Sequence, residues 1–351
     1  LGMFAGAEKG KDGGEFYTPR SVVNLLVEML QPFSGRVYDP CCGSGGMFVQ
    51  STRFVEAHGG NRDELSIYGQ EKAASTWRLA KMNLALRGIE ADLGPRDAET
   101  FTEDQHPDLR ADFIIANPPF NLKGYWSATL QDDPRWVYGT PNESNANYAW
   151  IQHFLYHLSP SGSAGFVMAN GALSSKAKTD GVIRQAMIKA DVVDCIVALP
   201  DKLFFNTGIP ACLWFLSKKR NGNGHRDRHG EVLFIDARDM GEMITRAQRQ
   251  LTADDIERIS SVYNTWRSRN EYKNYENVPG FCKSSTIQEI ANNDFILTPG
   301  RYVGLDESIG PDAEPVEEKI ARLTSELLAE FDRGRELESM IRMRLGGIKW
   351  N

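Results

Sequence analysis

The chain has 351 residues, of which 41% are hydrophobic and 25% are charged, a composition typical of an ordinary globular protein. No apolar run approaches the roughly 20 residues that a membrane span requires, so no membrane partner is expected. The net charge of −7 disfavours binding of polyanions over the whole surface, but it is compatible with a local basic groove or with a partner subunit that supplies the basic surface.

Strands and helices alternate along most of the first 240 residues. Helices are predicted at 22–30, 46–58, 76–88 and 182–190, and another begins at 147 and is ended by Pro160 and Gly162. Strands are predicted at 36–38, 65–71, 111–117, 163–170, 192–200, 211–219 and 231–238. This order predicts an α/β fold with a doubly wound, mostly parallel, seven-stranded sheet. Since no long helices separate the last strands, we expect an antiparallel edge.

The character of the sequence changes after residue 238. A helix is predicted at 251–267, with Thr252 as its N-cap and Asp255 three residues further on, in a start like a capping box. Residues 292–304 are rich in turn signals, and an acidic linker precedes a seam of apolar residues at nearly heptad spacing. The seam consists of Val316, Ile320, Leu323, Leu327 and Phe331, and it resumes at Leu337, Ile341, Leu345 and Ile348.

A glycine-rich turn, "DPCCGSGGM", lies between the first strand and its helix. Gly43, Gly45 and Gly46 allow the backbone to adopt positive φ and to pass close to a ligand. The following helix N-terminus offers unpaired backbone donors to a carboxylate or phosphate. The turn has neither the GxGxxG of a dinucleotide site nor the GxxxxGK[ST] of a P-loop. Close packing alone is the competing interpretation.

Three acids are predicted to lie at successive strand ends. Asp39 is placed to accept a hydrogen bond from a ligand ammonium, Glu71 to accept both hydroxyls of a ribose, and Asp97 to accept from an adenine amine. Each acid alone is compatible with a solvated loop or a helix cap. Together they describe a site for S-adenosylmethionine, which combines a ribose, an adenine and a zwitterionic amino-acid tail.

The stretch "IIANPPFN" ends the strand at 111–117 with an amide, two prolines and an aromatic ring. The oxygen of Asn117 and the carbonyl of Pro118 can together accept both hydrogens of an exocyclic amine, which localises its lone pair for attack on a methyl group. Pro119 stiffens the turn, and Phe120 offers a flat face for a flipped base. The amine loses its proton after methylation, so no strong base is needed. A tight turn with Phe120 in the core is the alternative.

These motifs together resemble the modification (M) subunits of type I restriction-modification systems. "NPPF" resembles the catalytic motif of amino-methyltransferases, and "DPCCGSGGMF" resembles their cofactor motif. "GGEFYTPRSVVNLLVEML" is similar to the N-terminal cofactor motif of adenine methyltransferases that place it first. The resemblance covers residues 13–219 and implies transfer of a methyl group from S-adenosylmethionine to the N6 amine of adenine in DNA, on a seven-stranded methyltransferase sheet with a C-terminal helical extension.

The resemblance also implies roles for individual residues. The N-terminal motif would pack on the methionine moiety through Glu15, Phe16, Tyr17, Thr18, Pro19 and Arg20. The glycine-rich turn would contact the cofactor through Gly43, Ser44, Gly45 and Gly46, with Glu71 at its ribose and Asp97 at its adenine ring. The target adenine would be held by Asn117, Pro118, Pro119 and Phe120, and positioned by Phe204, Phe205 and Asn206 of a later motif.

In this family a separate specificity subunit chooses the DNA sequence and joins two M subunits, and a restriction subunit can add cleavage. The expected organisation is a residual linker at 1–13, a catalytic domain at 14–240, an extension packed on it at 241–310, and a partner-binding helix at 311–351. A helix folded back on the domain is the alternative for the last segment. The helical domain that precedes "EFYTP" in the family is expected to be missing, so the chain is expected to bind cofactor yet to methylate poorly or not at all.

The motifs allow two other interpretations. In these, the chain is either an NPPF enzyme that acts on RNA or on a protein glutamine, or an inactive subunit that docks a specificity subunit. His153 and His157 have i, i+4 spacing, but we expect a structural role and no metal. The five cysteines lack metal-ligand spacing and a disulfide pattern, which favours a reducing cytoplasm. The basic segment at 218–229 is expected to be a solvated loop or a phosphate contact, and residues 125–140 a mobile flap or simple packing.

Overall fold

Nine strands in the described part of the chain form one sheet. The structure is a computed structural model, and it describes residues 18–204, 210–222, 224–304, 324–325, 327–328, 331–335 and 337–338. The strands, including those of a separate hairpin, are β1 (Gly35–Asp39), β2 (Leu65–Gly69), β3 (Ala91–Asp92), β4 (Ala111–Ala116), β5 (Leu158–Ala169), β6 (Val193–Ala198), β7 (Ala211–Ser217), β8 (Glu231–Asp236), β9 (Glu242–Thr245), β10 (Gln248–Gln250) and β11 (Cys282–Thr286).

The strand order across the sheet is β11-β8-β6-β7-β5-β4-β1-β2-β3. Strand β7 is antiparallel to both of its neighbours and β11 is antiparallel to β8, whereas the other pairs are parallel. The predicted mostly parallel α/β fold is therefore confirmed. All seven predicted strands are present, and β3 and β11 extend the sheet at its two edges. The antiparallel β7 lies inside the sheet, so only β11 forms an antiparallel edge.

The sheet is covered by helices on both faces. The helices are α1 (Arg20–Leu30), α2 (Gly46–Ala57), α3 (Ala74–Ala85), α4 (Asn147–His157), α5 (Gly171–Ser174), α6 (Lys178–Lys189), α7 (Ala253–Arg267) and α8 (Ile287–Asn292). One apolar cluster joins α1, α2, α3 and α7 to the sheet, and a second joins α4, α6 and α8 to it. Two buried layers of this kind are the signature of a doubly wound fold.

Helix α4 ends earlier than the sequence suggested. Its last residue is His157, and β5 begins at Leu158, so Pro160 and Gly162 lie in the strand. A proline disfavours the helical conformation of the residue before it, and inside a helix its ring would clash with the preceding turn. The helix therefore stops before Pro160.

The segment after residue 240 packs on α1 and the nine-stranded sheet through α7. The predicted capping box is confirmed, because the side chain of Thr252 accepts from the amide of Asp255 and the Asp255 side chain accepts from that of Thr252. The Asn264 side chain donates to the carbonyl of Glu28 on α1, at 3.2 Å. No helix within the described ranges is both long and apolar enough to cross a membrane.

The chain divides into two units, residues 1–305 and 306–351. In the second unit the described residues are helical, and Leu327, Phe331 and Leu337 of the apolar seam are each at least half exposed. The other residues of the seam lie outside the described residues.

The basic segment at 218–229 is mostly exposed, as expected of a solvated loop, but two of its arginines are buried. Arg220 and Arg228 are 3% and 2% exposed, and both pair with the fully buried Asp194 of β6. Burial raises the pKa of the Asp194 carboxyl, but the charges of Arg220 and Arg228 and a hydrogen bond from Tyr263 outweigh it and hold the pKa well below its usual range. Arg226 pairs with Glu231 at 2.6 Å. A buried acid in a strand thus draws the arginines inward.

Candidate active site

Three neighbouring strands bring the predicted site residues to one edge of the sheet. Strand β1 lies between β4 and β2 and is parallel to both. Their carboxyl ends therefore meet, and they place Asp39, Glu71 and Asn117 side by side. Ligands bind at this edge in open α/β sheets.

The glycine-rich turn has the backbone conformation that its sequence predicted. Gly43 and Gly45 have φ of 53° and 78°, which side-chain-bearing residues rarely adopt. A Cβ on Gly45 would also lie 3.3 Å from the Leu84 side chain. The chain then enters α2 at Gly46, so the helix N-terminus opens beside the turn.

Asn83 of α3 supports this turn and was not predicted to. Its side-chain amide donates to the carbonyl of Ser44 at 2.7 Å, and Arg87 donates to the carbonyl of Asn83 at 2.9 Å. Asn83 is 9% exposed and shares the buried side of α3 with Ala80 and Leu84. The sequence signal for this role was an asparagine in the apolar stripe of a helix, because a buried side-chain amide needs hydrogen-bond partners.

Two buried carboxylates lie behind the turn. Glu71, 8% exposed, accepts from the amide of Gly43 at 3.0 Å and from that of Ala73 at 2.8 Å. Asp39, 2% exposed, accepts from the amide of Cys41 at 3.0 Å. Burial raises the pKa of Asp39 to about 7, against the lowering effect of the Cys41 hydrogen bonds and with a smaller raising effect from the charge of Glu71. Asp39 is therefore poised to change charge near neutral pH.

A cavity of about 340 Å³ opens at the same edge. Small-molecule sites usually have volumes of about 300–1,000 Å³. Among the predicted residues, those that line it are Thr18, Arg20, Asp39, Gly43, Ser44, Gly46 and Asn117. Glu71 does not line the cavity itself, but it accepts a hydrogen bond from the amide of Gly43, which does. Asp97 is half-buried, and its neighbour Ala98 donates to the carbonyl of Glu71 at 3.0 Å.

The N-terminal motif and the NPPF motif touch directly. The side-chain amide of Asn117 donates to the hydroxyl of Thr18 at 2.8 Å, although the two residues are 99 positions apart. Pro19 is buried, and its carbonyl accepts from the amides of Val22 and Val23 in the first turn of α1. The start of α1 is thereby held against the end of β4.

Phe120 is packed against other side chains of the protein. It is 8% exposed, belongs to the apolar cluster on the α1 face, and meets Phe204 edge-on with ring centroids 6.1 Å apart. The contact brings the NPPF motif and the later motif together, and the burial of Phe120 matches the alternative of a tight turn with this ring in the core. Pro118 is buried and Pro119 half-buried. Glu15, Phe16, Tyr17, Phe205 and Asn206 lie outside the described residues.

The NPPF turn is held by an asparagine pair that the sequence did not reveal. Asn121 has a φ of 54°, and its amide donates to the side chain of Asn147, the first residue of α4, at 2.9 Å. The Asn147 side chain in turn donates to that of Asn121 at 3.0 Å. Because the partners are 26 residues apart, only the fold brings them together.

The segment at 125–140 packs on the protein body. Tyr125 and Trp136 are 5% and 8% exposed. Arg135 is buried and donates to the carbonyl of Thr100 at 3.2 Å and to that of Phe101 at 2.5 Å. These anchors favour simple packing over a mobile flap.

His153 and His157 join Asp104 in a group of potential metal ligands among the described residues. Each ring already has protein partners. His157 contacts the Asp104 carboxylate at 2.9 Å, and Arg135 lies 3.1 Å from Nδ1 of His153. Burial, the charge of His157 and the charge of Arg135 all lower the pKa of His153. A guanidinium at this distance repels a metal ion, so the geometry favours the structural role.

All five cysteines are free thiols. Burial, followed by the charges of Asp39 and Glu71, raises the pKa of both Cys41 and Cys42 well above its usual value. Both thiols stay protonated at neutral pH, which makes them poor nucleophiles. Their role in the turn is therefore steric.

The chain belongs to the N-6 DNA methylase family, whose model matches residues 1–309. It is 53% identical over 348 residues to the type I restriction enzyme HindI methylase subunit of Haemophilus influenzae, and 43% identical over 355 residues to the MjaIX methylase subunit of Methanocaldococcus jannaschii. Both alignments cover 99% of this chain, which spans 76% of the first relative and 62% of the second.

The structure is similar to that of a type I restriction-modification methyltransferase subunit from Streptococcus thermophilus. The TM-score is 0.70 at 29% identity, over 84% of this chain and 61% of the other. The resemblance to type I modification subunits that the motifs predicted is thereby confirmed.

Proposed function

We propose that this chain transfers a methyl group from S-adenosylmethionine to the N6 amine of adenine in DNA, as the modification subunit of a type I restriction-modification complex. One observation carries the proposal most directly. The cavity at the carboxyl edge of the sheet is lined both by the glycine-rich turn and by Asn117 of the NPPF motif. Cofactor and amine sites would thus share one space. The family match to a DNA methylase disfavours RNA and protein glutamine as substrates.

The residues present fit S-adenosylmethionine. Asp39 provides a buried carboxylate at the cavity wall for the ammonium group. Glu71 already accepts from two backbone amides, but each carboxylate oxygen has two acceptor sites, so it can also accept from the ribose hydroxyls. Asp97 is proposed to meet the adenine ring. Arg20, which is exposed and lines the cavity, is proposed to face the carboxylate of the methionine tail.

When bound, S-adenosylmethionine supplies an electrophilic methyl group. Asn117 and the carbonyl of Pro118 are proposed to accept the two hydrogens of the adenine amine and so direct its lone pair at that methyl group. The hydrogen bond to Thr18 fixes the orientation of the Asn117 amide in advance. The methylated amine then loses its proton to water. Phe120, with Phe204 against its edge, is proposed to turn its ring to the flipped base.

A specificity subunit is proposed to choose the DNA sequence and to join two copies of this chain, with a restriction subunit as a further partner. The proposed catalytic domain comprises residues 14–240 and the extension residues 241–310. Residues 311–351 are proposed to bind the partner subunit. The exposed Leu327 and Phe331, four residues apart, support this assignment, since apolar side chains at helical spacing gain most by burial against another helix. Five free thiols support a cytoplasmic location.

Calorimetric titration with S-adenosylmethionine tests the cofactor site. We expect binding to the wild type and at least roughly tenfold weaker binding to Glu71→Ala, since hydrogen bonds to a charged group contribute about 1.5–3 kcal/mol. Glu90→Ala removes an exposed glutamate and should bind normally. Glu71→Gln and a thermal unfolding scan separate lost binding from lost folding. Absence of binding to a folded wild type would refute the assignment.

A further inference from the structure

The β9–β10 hairpin forms a two-stranded sheet of its own, separate from the nine-stranded sheet. All four residues of β9 are exposed, and they include Met243 at 43% and Ile244 at 47%. Neighbouring residues of a strand point to opposite faces, so both faces of β9 are exposed. A two-stranded hairpin alone is only marginally stable in water. The ribbon therefore has two apolar side chains whose burial against a partner would stabilise it.

The base of the hairpin is tied to the loop that carries Phe204. The amide of Arg249 donates to the carbonyl of Lys202 at 2.9 Å, and its side chain lies 3.6 Å from the carboxylate of Asp201. Lys202 is two residues before Phe204, whose ring contacts Phe120 of the NPPF motif. The hairpin also follows the carboxyl end of β8, which is parallel to β6. It thus rises from the sheet edge that carries the candidate active site.

The charges on this side of the molecule favour an anionic partner. Arg246 at the hairpin turn and Lys202 at its base are both exposed. Asp201, the nearest acid to them in the loop, is paired with Arg249. With Asp201 and Arg249 paired to each other, the remaining charged residues of the ribbon and its base are Arg246, Lys202 and Glu242, a net charge of +1 (+2 − 1) in a chain whose net charge is −7. A local excess of positive charge on an acidic protein marks a site for a polyanion.

We propose that residues 242–250 form a ribbon that contacts the DNA duplex beside the extruded adenine. Met243 and Ile244 pack against the bases next to the vacated position, and Arg246 and Lys202 contact phosphates. The major groove, about 12 Å wide, admits a two-stranded ribbon. This inference rests on the proposed methylation of DNA, and it adds a surface that holds the duplex while the base is flipped.

The test compares two double variants in the protein reconstituted with a specificity subunit. Met243→Ser/Ile244→Ser removes the apolar pair of the ribbon. Val137→Ser/Val182→Ser is the matched control, since these side chains are 72% and 54% exposed. Neither residue lines the cavity at the candidate active site. Val182 lies on α6, which packs on the opposite face of the sheet from α1 and α7.

Two measurements are made on each variant. Fluorescence anisotropy gives the affinity for a target duplex, and 2-aminopurine at the target position reports base flipping. We expect the ribbon variant to bind DNA at least tenfold more weakly, to lose most of the 2-aminopurine signal, and to bind S-adenosylmethionine within twofold of the wild type. The control variant should match the wild type. Arg246→Ala should lower the salt dependence of DNA binding by about one phosphate contact.

Unchanged DNA affinity and unchanged 2-aminopurine signal in the ribbon variant would overturn the proposal. Loss of the specificity subunit from that variant during purification would also overturn it, because the ribbon would then be a protein contact. A wild type that binds DNA but neither binds S-adenosylmethionine nor transfers methyl groups would instead refute the proposed function. The anisotropy comparison would still decide the role of the ribbon.

Discussion

Asp39 gives the cofactor site a pH dependence that can be worked out from the structure. Its carboxyl is 2% exposed, and burial raises its pKa from 3.8 to about 7. If the charged form binds the ammonium group of S-adenosylmethionine, binding must remove the proton wherever Asp39 is protonated. Affinity should therefore rise with pH up to about 7 and level off above it.

The magnitude follows from the ionised fraction of Asp39. A carboxyl with a pKa of about 7 is half ionised at pH 7 and about one-tenth ionised at pH 6, while an α-ammonium, with a pKa near 8, stays mostly charged. The dissociation constant should thus increase about fivefold from pH 7 to pH 6. Calorimetry in buffers of different ionisation enthalpy should detect release of about 0.9 proton at pH 6.

Asp39→Asn is the informative variant, because it keeps an oxygen acceptor for the Cys41 amide but cannot ionise. Its affinity should be lower at pH 7 and should not change between pH 7 and pH 6. The raised pKa also means that the stability contribution of Asp39 is present below pH 3.8 and is lost as the pH rises through 7. Without cofactor, the variant should therefore be more stable than the wild type at pH 8, by up to about 4 kcal/mol. A wild-type affinity that is flat from pH 7 to pH 6 would refute the reasoning.

Three further substitutions test other parts of the site and fold. Gly45→Ala should cost about 1–2 kcal/mol in thermal unfolding and weaken cofactor binding, because φ is 78° there, whereas Gly46→Ala, with open space for a Cβ, should unfold normally. Asn147→Ala should lower kcat for methyl transfer by up to about 100-fold through displacement of the NPPF turn, with unchanged calorimetric cofactor affinity. A loss of cofactor affinity as large as the loss of kcat would contradict this explanation. Asp194→Asn should destabilise the protein by about 3–5 kcal/mol in urea, since two guanidinium groups lose their buried counter-ion; a smaller change would show that they are solvated.

The sequence predicted the centre of the fold better than its edges. Strand β4 and the NPPF turn were predictable because an apolar run ends in two prolines, which is a local signal. Strand β3 has only two residues, and β11, "CKSST", lacks a clear apolar alternation, so neither gives a readable period. We predicted that α4 is ended by Pro160 and Gly162, but it ends at His157, because a proline also disfavours the helical conformation of the residue before it.

The site was predictable where a feature depends on one local motif, and not where two hydrogen-bond partners are distant in sequence. The positive φ of Gly43 and Gly45 follows from the motif itself. The bonds of Asn83 to Ser44 and of Asn147 to Asn121 depend on tertiary structure. The lone acid in the strand "VVDCIVALP" was an overlooked signal, since a buried carboxylate requires a cationic partner.

Mass spectrometry of nucleosides from DNA treated with the reconstituted complex and S-adenosylmethionine tests the central claim most directly. The account predicts that N6-methyladenine appears at the target site with the wild type. It also predicts that N6-methyladenine is absent with Asn117→Ala, while that variant still binds the cofactor in calorimetry. Formation of a methylated cytosine in place of N6-methyladenine, or methylation by Asn117→Ala at the wild-type rate, would contradict it.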